Sequence, residues 1–91
     1  MSSNLKPYRA TLAPNIEHVF DPGDKKNIRV CTVMNLGKDE VFINYDDPAV
    51  VNGADSILII GGMALKYENN CKTIHLISAS NPQIQILYEC N

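Results

Sequence analysis

Several features are scarce or missing in this 91-residue chain. It has no tryptophan, only two histidines and an odd number of cysteines, three. No apolar run approaches the roughly 20 residues that a membrane-spanning helix needs, and residues 1–7 lack the apolar core of a secretion signal. An odd cysteine count also argues against a complete disulfide framework. We therefore expect no membrane partner and no dependence on disulfides.

Positive charge is scarce as well. The formal net charge is −2 and the sequence pI is about 5.5. The only basic cluster, Lys25-Lys26 with Arg29, lies beside Asp21 and Asp24, which makes it a surface loop of mixed sign. Nucleic-acid-binding proteins usually carry a basic patch that displaces counterions from phosphate. The sequence therefore predicts no nucleic-acid partner.

Catalytic and metal-binding motifs are absent from the sequence. It contains no Gly-x-Ser-x-Gly elbow, no P-loop and no dinucleotide-binding glycine pattern. His18, His75 and the three cysteines do not have the spacing of zinc ligands. Asp46, Asp47 and Asp55 flank a long loop without reproducing a known calcium-binding spacing. These absences predict that the chain is not an enzyme and that it needs no cofactor and no metal.

Short β-type runs make up most of what is present. They are separated by turn residues at roughly ten-residue intervals, and no segment of a dozen residues carries an apolar period of 3.6. In residues 8–12 apolar and polar side chains alternate, as glutamine and isoleucine do in residues 83–86. The pattern predicts an all-β fold, an antiparallel β-sandwich or jelly-roll-like barrel of about eight strands. It forms one domain, residues 8–91, after a loose N-terminal segment, residues 1–7.

The turn residues also suggest how the strands pair. Residues 28–35 are apolar on both faces and read as a central strand, which would form a hairpin with residues 40–45. Gly61-Gly62 reads as the turn of a second hairpin. Cys31 is expected to be a buried thiol. A Cys71–Cys90 disulfide is conceivable if the last two strands pair, although synthesis in a reducing compartment fits the sequence better.

One strand is expected to need a cover from outside the sandwich. The run of residues 56–60 is apolar on both faces, whereas a two-layer domain covers only one face of each sheet. The cover is either a second subunit or the connection of residues 49–55. A domain of this size buries only about 60–65% of its unfolded surface, which favours association. The predicted interface comprises Ile57, Leu58, Ile59 and Ile60, together with Leu5 and Tyr8 near the N-terminus.

The C-terminal two-thirds of the chain resembles small β-sandwich virion proteins of tailed bacteriophages, of the capsid decoration or head-fibre-base type. The resemblance is one of order: an apolar strand, a glycine turn, a second strand, an I-x-L-x-S-like strand and a terminal strand ending in glutamate. The corresponding segments are residues 56–59, Gly61-Gly62, residues 63–68, residues 73–78 and residues 85–89. Two departures are the Gly61-Gly62 turn, where Pro-Gly is expected, and the presence of Cys71 and Cys90.

The resemblance implies a non-enzymatic virion structural protein, most specifically a capsid decoration (cement) subunit. Its partners would be copies of itself, with a trimer favoured, and the major capsid protein or another virion protein. It would be made in the host cytoplasm and located in the virion. Three alternatives remain open: a head–tail or tail-surface component, a carbohydrate- or host-surface-binding module using the tyrosines and the Asp46–Asp55 loop, and a cupin-type metalloenzyme.

Overall fold

The alternating and β-branched runs of the sequence form two four-stranded sheets that pack face to face. The protein is described here by a computed structural model, which covers residues 5–23 and 27–91. The first sheet has the strand order β1-β8-β3-β6 and the second β2-β7-β4-β5, and the strand pairs are antiparallel. The strands are β1 (Lys6–Thr11), β2 (His18–Phe20), β3 (Ile28–Asn35), β4 (Val41–Tyr45), β5 (Ile57–Ile59), β6 (Ala64–Tyr67), β7 (Ile74–Ile77) and β8 (Gln83–Cys90).

The connectivity is that of a jelly roll, which confirms the predicted fold class. Along the chain, successive strands lie in opposite sheets, except for β4 and β5, which pair with each other. Neither β3 nor β8 is an edge strand, so the prediction of a central strand at residues 28–35 is correct. The two sheets enclose one core between them.

The two predicted hairpins are wrong. β3 and β4 lie in different sheets, and so do β5 and β6. Turn residues predict that the chain reverses, but they do not say which sheet it joins next. Gly61 is required by close packing between these two connections, since a Cβ atom there would lie 2.7 Å from the Cα of Lys38. Gly62 is required by its positive φ of 81°.

The core follows the alternation read from the sequence. In β1 and the residue after it, Tyr8, Ala10 and Leu12 face inward while Arg9 and Thr11 are exposed, as predicted. In β8, Ile84 and Ile86 are completely buried, and the glutamines alternate with them. The core residues are Leu12, Phe20, Ile28, Cys31, Val33, Val41, Ile43, Tyr45, Ile59, Cys71, Ile74, Leu76, Ile84 and Ile86.

The N-terminal boundary differs slightly from the prediction. β1 begins at Lys6, two residues before the predicted start of the strand at Tyr8. Lys6 is already part of the sheet, because it pairs with Tyr88 of β8. The rest of the predicted N-terminal segment, residues 1–4, and the predicted Lys25-Lys26 cluster lie outside the described residues. The part of the chain that the structure describes contains no helix with the length and apolarity needed to cross a membrane.

Candidate functional site

The second sheet ends in a short strand whose outer surface is apolar. Among the described residues β5 pairs only with β4, and it places Ile59 in the core with 3% of its surface exposed. Leu58 and Ile60 face outward and are each 47% exposed, and Ile57 is 39% exposed. The sequence prediction that this strand presents apolar side chains on two faces is therefore correct. Its role as a subunit interface stays a prediction.

Two further exposed apolar residues lie on connections whose backbones adjoin the end of β5. Met63 is 52% exposed, and its amide donates to the carbonyl of Ile60 at 3.1 Å. Leu36 is 46% exposed. It directly follows Asn35, whose backbone amide donates to the carbonyl of Met63 at 2.9 Å. We refer to the exposed apolar residues along this rim as the apolar edge: Leu36, Ile57, Leu58, Ile60 and Met63.

A buried asparagine sets the position of the apolar edge. Asn35 is 1% exposed, and its side-chain Nδ2 donates to the carbonyls of Ile59 at 2.9 Å and Asp39 at 2.7 Å. Its Oδ1 accepts from the amide of Gly37 at 3.0 Å. These three bonds satisfy most of the capacity of the amide group. Sequence reasoning did not identify Asn35, although a polar residue ending an apolar central strand is the signal that could have done so.

The long connection between β4 and β5 covers part of the second sheet's outer face. Phe42 of β4 points to that face but is only 6% exposed, and it lines a cleft together with Val51. Ala49 is 4% exposed, and the Asn44 side chain donates to the carbonyls of Pro48 and Asp55, each at 3.4 Å. The connection of residues 49–55, one of the two covers expected for residues 56–60, therefore lies over β4. It leaves the outer side of β5 exposed.

A hydrogen-bonded network fastens this connection to the sheet. The Glu17 carboxylate accepts from the amide of Ala49 at 2.7 Å and lies 3.2 Å from Nδ1 of His75. The other ring nitrogen, Nε2, lies 3.0 Å from the hydroxyl of Thr73. The side chains of Glu17 and His75 are 30% and 15% exposed, so the network is largely shielded from water.

The Thr73–His75–Glu17 order is that of a nucleophile, a base and an orienting acid. Such a site also needs hydrogen-bond donors for the negative charge that develops on a substrate oxygen. The backbone amides of Thr73 itself and of Lys72 before it are both bonded to Oδ1 of Asp46, at 2.9 and 2.7 Å. Because that carboxylate would repel a developing oxyanion, the chemistry favours a structural role for the network.

The N-terminal candidate residues lie away from the apolar edge. β1 is at the opposite edge of the first sheet from β6. Tyr8 is half-buried, with its ring 4.5 Å from that of Phe20 and its hydroxyl 2.7 Å from Nε2 of His18. Leu5 is 45% exposed and lines a shallow cleft on the first sheet. The structure therefore does not bring Leu5 or Tyr8 together with residues 57–60.

The two histidines lie on opposite faces of the second sheet. His18 shares the inner face with Phe20, whereas His75, which pairs with Val19 in the ladder, bonds to Glu17 on the outer face. Within residues 5–23 and 27–91, no three His, Cys, Asp or Glu side chains gather closely enough to hold a metal ion.

The tyrosines are used inside the sandwich. The rings of Tyr45 and Tyr67 are stacked with centroids 3.7 Å apart, and Tyr88 meets Phe20 edge-on at 4.9 Å. Tyr8 contacts Phe20, as described above. Each of the four tyrosines is therefore buried or half-buried and has an aromatic neighbour. Little ring surface is left for stacking against a sugar.

Two of the three cysteines form a buried pair beside the stacked tyrosines. Cys31 and Cys71 are 1% and 2% exposed and belong to the same core. The side-chain interaction with Cys71, followed by burial and the charge of Cys71, raises the pKa of Cys31 far above its ordinary value. The side-chain interaction with Cys31 lowers the pKa of Cys71, although burial and Asp46 oppose that effect. The prediction of a buried Cys31 thiol is correct.

The conceivable Cys71–Cys90 disulfide does not fit this arrangement. β7 and β8 lie in different sheets, and Cys71 and Cys90 flank Ile28 on its two sides. Strands on either side of a central strand are about 9–10 Å apart, whereas the Cα atoms of a disulfide are about 4.4–6.8 Å apart.

Comparison with known proteins informs the fold alone. No protein-family model matches the chain, and no curated protein matches it. Among solved structures it is similar to an unknown-function protein, VPA0057 from Vibrio parahaemolyticus, with 13% identity and a TM-score of 0.60, over 96% of this chain and 79% of that one. It is similar to PirA, with 20% identity and a TM-score of 0.60, over 91% of this chain and 93% of that one.

A third similar structure is a de novo designed double-stranded β-helix, with 16% identity and a TM-score of 0.54, over 94% of this chain and 99% of that one. At these identities the likeness carries no functional assignment. It agrees with the two-sheet architecture and with the absence of a helix from the described residues.

Proposed function

We propose that this protein is a non-enzymatic structural subunit that associates with copies of itself through the apolar edge. The observation that carries this proposal is the half exposure of Leu58 on the edge strand β5 and of Ile60 directly after it. Exposed apolar side chains that cluster on one rim are typical of surfaces that another protein covers.

The lack of protection on this edge supports the proposal. Monomeric β-proteins usually guard an edge strand with charged residues, proline or a covering loop. The segment of residues 56–65 contains no charged residue and no proline, and the β4–β5 connection stops at β4. The shortness of β5, three residues, limits open-ended strand pairing, so side-chain burial is the more important part of the contact.

We further propose that the larger assembly is a phage virion, with the protein acting as a capsid decoration subunit. The sequence resemblance to small virion β-sandwich proteins supports this context, and jelly rolls are common among viral capsid proteins. Weak contacts of each subunit would add up through symmetry and effective concentration on the capsid surface. A closed oligomer, with a trimer favoured, is the expected form.

The first test is the mass of the protein in solution. Light scattering over a range of concentrations should give a mass above the 10.1 kDa of one chain. The double variant Leu58→Ser with Ile60→Ser should return the protein to a monomer. Val19→Ser is the matched control, because Val19 is 46% exposed but lies on β2, at the other edge of the same sheet. A wild-type protein that stays monomeric at all concentrations would refute self-association.

The second test addresses the virion. The purified protein is mixed with empty heads of the phage whose genome encodes it and sedimented. Saturable binding in proportion to the capsid lattice is expected for a decoration subunit, whereas a few copies per head, in a ring, would identify a head–tail component. Absence of the protein from both heads and purified virions would rule out the virion context while leaving self-association intact.

A further inference from the structure

We propose that self-association uses a wider surface than the apolar edge: the β4–β5 connection swings away from the second sheet, and a second copy of the chain takes its place over Phe42. This inference rests on the proposed function, because it concerns the same contact between copies. The β4–β5 connection, residues 46–56, is then a cover that limits how readily the subunits associate.

An apolar row runs across the outer face of the second sheet. Phe42 of β4 lies opposite Leu58 of β5 in one ladder and opposite Ile77 of β7 in the other. Residues that lie opposite each other in antiparallel strands point to the same face of the sheet. We refer to Leu58, Phe42 and Ile77 as the outer row. Because Leu58 also belongs to the apolar edge, the two surfaces are continuous.

Exposure changes sharply along the outer row. Leu58 is 47% exposed, Ile77 is half-buried and Phe42 is 6% exposed. Among the described residues, Phe42 and Ala49 are the two buried apolar residues that do not belong to the core between the sheets. Small apolar clusters of this kind lie beneath long loops. The burial of Phe42 therefore depends on the β4–β5 connection and not on the packing of the two sheets.

The cover that the connection supplies is thin. Ala49 contributes one methyl group, Val51 is half-buried and lines the cleft beside Phe42, and Val50 is 56% exposed. A second copy that covers the outer row also buries its own apolar edge. The exchange therefore removes more apolar surface from water than the closed connection does, and this burial favours association.

The connection is fixed at its first residue. Oδ1 of Asp46 accepts from the amides of Lys72 and Thr73 at 2.7 and 2.9 Å. Beyond this point, the shortest hydrogen bond from the connection to another part of the described chain runs from the Ala49 amide to the Glu17 carboxylate, at 2.7 Å. Breaking that bond frees residues 47–56 to turn about Asp46.

The rest of the connection holds its own shape. The amide of Val50 donates to Oγ of Ser56 at 2.9 Å, and the amide of Gly53 donates to the carbonyl of Val50 at 2.9 Å. The Ser56 amide in turn donates to the carbonyl of Gly53 at 3.2 Å. These bonds lie within the connection, so they persist when it opens. Opening then breaks mainly the bond to Glu17 and the contact with Phe42.

Closure and self-association compete for the surface of Phe42. When only a fraction of the molecules is open, the affinity for a second copy is lowered by that fraction. A hydrogen bond to a charged group such as the Glu17 carboxylate holds the open fraction down by about 10- to 100-fold. Removing this bond should therefore strengthen association, although the apolar edge itself is unchanged.

The first measurement is exchange of the Ala49 amide hydrogen in wild-type protein, at concentrations below and above the onset of self-association. Opening of the connection predicts faster exchange in the associated protein than in the monomer. A contact restricted to the apolar edge leaves the connection closed and predicts equal or slower exchange. Equal or slower exchange, in a protein whose mass does rise with concentration, would overturn this inference and leave the proposed function intact.

The second measurement is the association constant of three variants, obtained by light scattering, with circular dichroism to verify that each is folded. Glu17→Ala should raise the constant by about 10- to 100-fold. Glu17→Gln keeps an acceptor oxygen and should change it by less than about tenfold. Glu68→Ala removes an exposed carboxylate outside the connection and should leave it unchanged.

Two results of the second measurement have different meanings. A constant for folded Glu17→Ala that equals the wild-type constant or lies below it would show that the connection does not oppose association. If wild type and Glu17→Ala are both monomeric at every concentration, the proposed self-association fails together with this inference.

Discussion

The side-chain amide of Asn35 donates to the backbone carbonyl of Ile59 across 2.9 Å and so joins the central strand β3 to the edge strand β5. The same nitrogen donates to the carbonyl of Asp39, in the connection that carries the chain from one sheet to the other. One buried side chain therefore fixes how the two sheets meet beside the apolar edge.

Replacing Asn35 by alanine is expected to destabilise the protein by about 2–4 kcal/mol, because the variant leaves the buried carbonyl of Ile59 and the partly buried carbonyl of Asp39 without their donor. Urea denaturation followed by circular dichroism measures the change. Asn44→Ala is the control: its donor bonds to Pro48 and Asp55 are 3.4 Å long and exposed, and its Oδ1 accepts from the adjacent Tyr45 amide at 3.0 Å, so the loss should stay at about 1 kcal/mol. Equal losses in the two variants would contradict this account of Asn35.

Glu17→Ala is expected to loosen the β4–β5 connection without unfolding the sandwich. The variant removes the charged acceptor of the Ala49 amide, which lies 2.7 Å from the Glu17 carboxylate. Hydrogen bonds to charged groups are worth about 1.5–3 kcal/mol. Exchange of the Ala49 amide hydrogen should therefore become about 10- to 100-fold faster.

Hydrogen exchange followed by NMR measures this effect for each residue. Glu68→Ala serves as the control, since Glu68 is exposed and pairs only with Lys66 in the described salt bridges. That variant should leave exchange at Ala49 unchanged. An unchanged Ala49 rate in Glu17→Ala would show that the connection is held by other contacts.

The sequence predicted the class of fold because the information is local. Alternation in β1 and β8 depends only on the period of two along a strand, and it identified Ala10, Leu12, Ile84 and Ile86 as inward. Regular turn spacing gave the approximate number of strands. These features require no knowledge of which strands become neighbours.

Strand pairing was not predictable from the same signals. Leu36–Asp39 and Gly61-Gly62 have the residues of hairpin turns, yet each connects strands in different sheets. The two connections pack against each other, with Gly61 against Lys38, and such a contact between distant segments leaves no local pattern. For the same reason the sequence could not show that Cys71 belongs to the same core as Cys31.

The candidate site was predicted in part. The prediction that residues 57–60 are apolar on both faces was correct, because it depends only on the residue types within one strand. Leu36 and Met63 join that surface because β3 ends, and β6 begins, beside β5. The separation of Tyr8 from it follows from β1 lying at the other edge of the sandwich. Both are consequences of topology.

Tyr45→Phe is expected to leave stability unchanged or to raise it by about 1 kcal/mol. The hydroxyl of Tyr45 is buried and is the one buried side-chain polar atom without a hydrogen-bond partner among the described residues. Removing it avoids the cost of its desolvation, while the ring can keep its stacking on Tyr67.

Tyr8→Phe is the matched comparison for that variant. The Tyr8 hydroxyl is bonded to His18 at 2.7 Å, so its removal should cost about 0.5–1.5 kcal/mol. Thermal unfolding of both variants, measured side by side, gives the two changes. If Tyr45→Phe proves as destabilising as Tyr8→Phe, the Tyr45 hydroxyl has a bonding partner in solution.

The same tyrosine should make the protein sensitive to alkali. Burial, followed by the nearby Cys31 and Cys71, raises the pKa of Tyr45 above its ordinary value of 10.0. The unfolded chain therefore releases the tyrosine proton at a lower pH than the folded protein does. Above about pH 10 the unfolded state binds fewer protons, so the stability falls as pH rises until the folded-state pKa is passed.

For one such group the loss is about 1.4 kcal/mol for each pH unit above 10. The free energy of unfolding, measured in urea with a reductant present, should fall more steeply between about pH 10 and 11 in wild type than in Tyr45→Phe. Between about pH 6 and 8 the difference between the two proteins should be constant, because Tyr45 is neutral in both states there. Parallel curves through pH 11 would mean that the folded protein ionises Tyr45 as readily as the unfolded chain, and that its hydroxyl reaches water.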